Sequence, residues 1–225
     1  MKIKILYEDN HLLVVEKPVN MLVQADKTKD EDLLTKLKEY IKKEYNKPGA
    51  VFLSLVHRLD RPVGGAIVYA KTSKAASRLS DQLRRRVIER EYLAIVRGSV
   101  NKNQARLENY LLKDNKKNEV SIVKSNIKGS QKAILGYKKL ANKRDLSLLK
   151  VKLETGRSHQ IRVQLAGIGH PLYGDQKYGS KINKVGEQIA LWSYKLTFKH
   201  PTKNELIEVK SDPPNTKPWN EFKLD

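Results

Sequence analysis

Segments that read as β-strands outnumber those that read as helices, and the two kinds do not alternate along the chain. The clearest strand is 146–155, where Leu149, Val151 and Leu153 alternate with charged residues, as in a strand with one buried face. A doubly wound parallel sheet would require strands and helices in regular alternation. The pattern therefore predicts an α+β protein with a mixed, mainly antiparallel central sheet and flanking helices.

The remaining elements follow from periodicity and from turn residues. Helices are predicted at 30–46, 73–86 and 158–168, the second with Thr72 as its N-cap. Further strands are predicted at 3–7, 12–16, 51–56, 66–71, 87–96, 105–112, 133–140, 189–198 and 205–210. The tail from residue 211 reads as irregular. Because no repeat or linker is evident, we expect a single domain over 1–225 and no separate N-terminal domain.

The charge balance points to a polyanionic partner. Among 225 residues, 45 Lys and Arg face 25 Asp and Glu, for a net charge of +20. Such an excess favours nucleic acid, whose phosphates reward a broad positive surface. The alternative is a generally lysine-rich surface without a specific partner.

The composition also limits where the protein can be located and which groups it can bind. The chain has no cysteine, so disulfides, thiolate-ligated metals and thiol nucleophiles are excluded. The N-terminus does not read as a signal peptide, and no apolar run is long enough to span a membrane. We expect a cytoplasmic protein and a monomer.

One carboxylate stands between two arginines. In HRLDR, 57–61, Asp60 lies between Arg58 and Arg61, four residues before a Gly-Gly pair that leads into a strand. An aspartate at a turn is commonly a cap or an ion-pair partner. Beside guanidinium groups, however, a carboxylate stays ionised, which suits nucleophilic attack or the stabilisation of positive charge developing on a sugar carbon.

A second cluster of polar residues lies in TGRSHQIRVQLAGIGHPLYGDQKYG, 155–179. If 158–168 is helical, His159, Arg162 and Ala166 share one face. Arg157 and Arg162 could be solvated surface residues, or one could pair with Asp60. His159 and His170 have no third ligand at a convincing spacing, so hydrogen-bonding roles are favoured over metal binding.

Tyr92, in REYLAIV, is the third candidate. A tyrosine in a strand most often packs in a core. On a basic surface it is also a platform on which an extruded base can stack. Neither a GxxxxGK[ST] phosphate loop nor a GxSxG elbow is present, which disfavours a P-loop nucleotidase and the usual hydrolase.

Taken together, HRLD at 57–60, REYLAIV at 90–96 and the 155–179 block resemble the signatures of the RluA-type RNA pseudouridine synthases. The opening ILYEDNHLLVVEKP, 5–18, is similar to that family's first hairpin. The resemblance covers nearly the whole chain. It implies the pseudouridine synthase fold with a basic catalytic cleft, and an isomerase that converts uridines in ribosomal or transfer RNA without cofactor or metal.

The resemblance also implies residue roles. Asp60 matches the essential aspartate acting at the ribose, Tyr92 the tyrosine against the target base, and Arg162 the arginine paired with the aspartate. Arg58 matches the arginine that fills the gap left by the flipped nucleotide. His57, Arg157 and His159 are assigned to RNA binding or to support of the site.

Two departures from the family pattern stand out. Val63-Gly64 replaces the Thr-Ser that many relatives carry after HRLD, and Asn20 replaces glycine in the early KPxG turn. Asparagine tolerates positive φ better than most residues, so we expect that turn to survive.

Two other functions remain open at this point. An RNA-binding protein without activity could retain the scaffold, and an RNA N-glycosidase could use the same carboxylate while admitting water.

Overall fold

The structure is a computed structural model that describes residues 3–223. These residues form two compact units: the first runs to Arg90 and includes Ser193–Asp212, and the second comprises Glu91–Trp192 and the chain from Pro213 onward. The prediction of one domain over 1–225 stays a prediction.

Eleven strands and three α-helices are present among the described residues. In chain order they are β1 Lys4–Glu8, β2 Leu12–Lys17, α1 Leu33–Glu44, β3 Ser54–Leu55, β4 Gly64–Ala70, α2 Ser73–Arg84, β5 Glu89–Arg97, β6 Gln104–Asp114, β7 Glu119–Val123, β8 Gln131–Lys143, β9 Leu146–Leu153, α3 Gln160–Gly167, β10 Leu191–Lys199 and β11 Leu206–Lys210. The predicted α+β class is confirmed. Within residues 3–223 no helix is both long and apolar enough to cross a membrane.

In the first unit, β2 lies between β1 and β4 in antiparallel pairings, and β3 also pairs with β4. Alternate residues of β2 and β4, such as Leu12 and Val68, pack against Ala75 and Leu79 of α2 in one buried cluster. The hydroxyl of Thr72 accepts a hydrogen bond from the Ala75 N–H at 3.2 Å, which confirms the predicted N-cap.

In the second unit, the antiparallel strands follow the order β5-β9-β8-β6-β7. Helix α3 packs on one face of this sheet through Val163, which contacts Leu111, Val120 and Ala133. Helix α3 lies on the sheet face that also carries Tyr92. Tyr92 and Tyr137 both lie opposite Val151, and Ala133, which clusters with Val163 of α3, shares the face of Tyr137 because it lies four residues away on β8.

Three local predictions were wrong. The predicted strand at 51–56 is reduced to Ser54–Leu55, and β7, which begins at the last residue of the polar run KDNKKNE, was not predicted. His159 is not a helical residue: it is the N-cap of α3, with a left-handed φ of 50°. The last two residues of the predicted irregular tail lie outside the described residues.

Candidate active site

The HRLD loop of the first unit is tied to the KPVN turn by a buried lysine. The Lys17 side chain is fully buried, and its Nζ donates to the carbonyls of Pro18 at 2.9 Å, Met21 at 2.7 Å and Arg61 at 2.9 Å. Three acceptors match the three N–H groups of an ammonium ion. Lys17 therefore holds together two loops that are separated by more than forty residues in the sequence.

The negative charge of Asp60 also affects the pKa of Lys17. Burial lowers the pKa of Lys17 to about 7, while the negative charge of Asp60 opposes this shift and the positive charge of Arg61 adds to it. Asp60 is half-buried, and its backbone carbonyl accepts the Val63 N–H at 3.0 Å in a tight turn. The carboxylate is thus presented on a loop fixed from both sides.

The two arginines that flank Asp60 behave differently. Arg58 is exposed. Arg61 donates from Nη1 to Asp30 at 2.7 Å and from Nε to the Asn20 carbonyl at 3.2 Å. Arg61 is therefore engaged by another carboxylate, and it braces the turn in which Asn20 adopts φ 64°, as the sequence predicted.

His57 lies beneath this loop rather than on its surface. The ring is buried, and its Nε2 accepts the Val68 N–H at 3.4 Å, while no hydrogen-bond partner for Nδ1 is present among the described residues. Burial, with a smaller contribution from Arg90, lowers the pKa of His57 to about 3. This geometry favours support of the site over direct contact with RNA.

The Gly-Gly pair at the start of β4 has a steric cause. Gly65 has φ 109°, and a Cβ at this position would lie 2.3 Å from the carbonyl oxygen of Ser193. The Ser193 hydroxyl donates to the Ala66 carbonyl at 2.8 Å. The backbone that leaves the HRLD loop therefore passes so close to β10 that only glycine fits.

In the second unit, Arg162 is held by a carboxylate that sequence reasoning missed. Its Nε lies 2.8 Å from Asp175 Oδ2 and its Nη2 lies 2.9 Å from Oδ1, a bidentate pair in which both side chains are buried. The Arg162 guanidinium carbon also lies 5.2 Å from the ring centroid of Tyr178. Arg162 is thus fixed in orientation within α3 and is not a solvated surface residue.

The loop that carries Asp175 is itself rigidly held. Asp175 Oδ1 accepts the N–H groups of Lys177 and Tyr178 at 3.0 and 3.2 Å. Asn183 donates to the carbonyls of Leu172 and Asp175 and accepts the Gly174 N–H. The repeated glycines of 155–179 were the only sequence signal of these tight passages.

His159 and Arg157 flank the start of α3. His159 Nδ1 shares a hydrogen bond of 2.7 Å with the Tyr178 hydroxyl, which also accepts the Val120 N–H at 2.9 Å. Arg157 is exposed, and its Nε donates to the Lys132 carbonyl at 3.1 Å. His159 is therefore placed to support the Arg162 environment, whereas Arg157 remains accessible.

Tyr92 is buried in β5 opposite Val151. The structure thus brings together Arg162, Asp175, Tyr178 and His159 in the second unit, and Asp60 with Lys17 in the first. The pairings of Asp60 with Tyr92 and with Arg162 stay predictions. Within residues 3–223, no group of three His, Cys, Asp or Glu side chains is arranged to hold a metal ion.

Residues 11–167 match the model of a family described as RNA pseudouridylate synthase. The chain belongs to the RNA pseudouridylate synthase family. The match includes the positions of Asp60, Tyr92 and Arg162, and the family's members are isomerases that act on RNA. The predicted RluA-type membership and the predicted enzyme class are confirmed.

The similarity to known relatives extends over most of the chain. The family member "Uncharacterized RNA pseudouridine synthase YhcT" of Bacillus subtilis is 35% identical over 209 residues, which cover 92% of this chain and 67% of that protein. "Ribosomal large subunit pseudouridine synthase C" of Buchnera aphidicola is 33% identical over 216 residues, covering 92% and 66%. This pseudouridine synthase chain therefore spans about two thirds of the length of these relatives.

Solved structures support the fold. Human RNA Pseudouridylate Synthase Domain Containing 4 matches with a TM-score of 0.79 at 21% identity, covering 94% of this chain and 88% of that one. Human RNA Pseudouridylate Synthase Domain Containing 1 matches with a TM-score of 0.73 at 23% identity, covering 96% and 85%. The pseudouridine synthase fold predicted from the resemblance is confirmed.

Proposed function

We propose that this enzyme flips specific uridines out of structured ribosomal RNA and isomerises them to pseudouridine, with Asp60 as the catalytic carboxylate. The observation that carries the proposal is the family match over 11–167, which contains all three predicted catalytic residues. Ribosomal RNA is the first candidate because a relative at 33% identity is named for the large ribosomal subunit. Transfer RNA is the alternative outcome.

The proposed chemistry assigns one task to each residue. Asp60 acts at the ribose while the bond between C1′ and N1 breaks. The detached uracil turns and rejoins C1′ through C5, and the proton on C5 is lost. Tyr92 packs against the base, and Arg162 stabilises the ionised Asp60. The bidentate bond to Asp175 supports this last role, because it fixes the direction of the guanidinium before substrate binds.

Product analysis tests this function against its two rivals. Purified enzyme is incubated with ribosomal RNA and, separately, transfer RNA, each tritiated at uridine C5 and taken from a strain that lacks the gene. We expect tritium in water and pseudouridine in the digested RNA. Free uracil would instead identify an N-glycosidase, and unchanged RNA of both kinds would identify a protein that binds without catalysis.

Base flipping is tested through Arg58, which is exposed on the loop beside Asp60. An enzyme that acts on a stacked base must first unstack it, at a cost of a few kcal/mol that is lower for unpaired nucleotides. We expect Arg58→Ala to slow tritium release more from a uridine embedded in a duplex than from the same uridine in an unpaired loop. Equal losses on the two substrates would exclude a flipping role for Arg58. The cytoplasmic location and monomeric state stay predictions.

A further inference from the structure

The second unit carries a basic groove on the sheet face opposite to Tyr92. This groove, which we call the lysine groove, has a volume of about 540 Å³, and its lining includes Glu91, Arg106, Gly136, Lys138, Lys150 and Lys152. Ala105 and Tyr137, which lie between these positions along β6 and β8, complete its floor. Successive strand residues point to opposite faces, so Glu91 and its cross-strand partner Lys152 face away from Tyr92. The groove is therefore separate from the residues assigned to catalysis.

The register of the strands concentrates positive charge at one end of the groove. Lys150 on β9 lies directly opposite Lys138 on β8, and the flanking partners in this row are Leu93 and Gln104. The row thus contains two cations and no carboxylate. Like charges directly opposite each other destabilise an antiparallel pair, so the isolated fold gains nothing from this arrangement.

The next row is closer to neutral. It contains Glu91 opposite Lys152, and Gly136 opposite Arg106. Arg106 already makes a bidentate pair with Glu154, at 2.8 and 3.0 Å. Among the described residues, Lys138 and Lys150 therefore carry the charge of the groove that their row partners do not offset.

Gly136 keeps the middle of the groove open. A Cβ added at this position would meet no atom within 4 Å, so neither packing nor a positive φ requires glycine here. Glycine in a strand interior weakens the strand, and it often marks a place where a ligand or another backbone approaches closely. The open space at Gly136 lies diagonally beside the Lys138–Lys150 pair.

We infer that the lysine groove binds the phosphodiester backbone of an RNA helix, as a second contact surface apart from the catalytic residues. Lysine ammonium groups on flexible stems act as point charges, which suits contact with phosphates rather than reading of bases. The inference rests on the proposed function, since RNA is the polyanion that this enzyme class acts on. In this role the groove positions parts of the RNA other than the target nucleotide.

The test compares two double variants that remove equal charge. Lys138→Gln with Lys150→Gln alters the groove, whereas Lys42→Gln with Lys43→Gln removes two exposed lysines from the last turn of α1. The probe is a short fluorescent RNA duplex, and its affinity is measured over a series of salt concentrations. We expect the groove variant to lower the slope of log affinity against log salt by about 2, or about 1 per lysine. The α1 variant should retain the wild-type slope.

A third variant tests the groove without changing charge. Gly136→Leu should fold, because open space surrounds this position, and should weaken duplex binding several-fold by filling the groove. Equal slopes for the two double variants, or wild-type affinity for Gly136→Leu, would overturn the inference. Tritium release is measured separately, so a failure of catalysis in the wild-type enzyme is distinguishable from a failure of groove binding.

Discussion

In the second unit, one arginine and one aspartate are buried together as an ion pair. Arg162 and Asp175 have side chains that are 8% and 0% exposed, and each satisfies the other through two hydrogen bonds. Burying two charges costs hydration free energy, which only well-aligned hydrogen bonds between the two groups can offset. The pair therefore acts as a unit, and removing one member breaks both hydrogen bonds.

Asp175→Asn should lower the free energy of unfolding by about 3–5 kcal/mol, because it removes the charged partner of a bidentate pair in which both side chains are buried. Urea unfolding monitored by circular dichroism measures the change. The matched control is Glu154→Gln, which disrupts the bidentate pair with Arg106 on the exposed sheet face. The control should lose far less stability, since exposed ion pairs contribute little. Similar losses in the two variants would show that the Arg162–Asp175 pair is not effectively buried.

His57 supplies a prediction for pH. Its pKa falls from 6.5 to about 3 on folding, mainly through burial, so between these values the unfolded state binds one more proton than the folded state. Stability should therefore rise with pH over this window, by about 1.4 kcal/mol per pH unit from this residue. Urea unfolding from pH 3 to 6.5 should show a slope that is lower by this amount in His57→Gln. An unchanged slope would mean that the ring is solvated in the folded protein.

At the scale of elements, the entry into β4 is the most constrained point. Gly65 has φ 109°, and the backbone of Ser193 lies so close that there is no room for a Cβ. Gly65→Ala should therefore destabilise the protein by more than the roughly 1–3 kcal/mol of a strained backbone conformation alone. Gly136→Ala, where open space surrounds the new Cβ, is the control and should have wild-type stability or better. Differential scanning calorimetry compares them, and a Gly65→Ala variant as stable as its control would contradict the proposed clash.

The same scale shows what a sequence can and cannot predict. Alternation identified β9, and the hydroxyl of Thr72 located the start of α2, because both signals are local. Strand β7 was missed because its stability comes from pairing with β6, in which Leu111 lies opposite Ile122. The left-handed turn at His159 also depends on a distant partner, Tyr178, which no local pattern identifies.

For the whole molecule, the net charge of +20 predicted a polyanionic partner but not where it binds. The location that we infer depends on strand register, since Lys138 and Lys150 become neighbours only when β8 and β9 pair. The roles of Asp60, Tyr92 and Arg162 came from the resemblance, not from periodicity. Asp175 escaped prediction because the glycine-rich loop must fold back before its carboxylate reaches α3.

The central claim concerns the whole enzyme: an ionised carboxylate at position 60 converts uridine to pseudouridine. Tritium release from RNA labelled at uridine C5 measures this directly, with Asp60→Asn compared against Asp30→Asn, which removes the exposed carboxylate bound to Arg61. We predict no release by Asp60→Asn, RNA affinity within a few-fold of wild type for both variants, and near wild-type release by Asp30→Asn. Wild-type release by a folded Asp60→Asn enzyme would contradict the account.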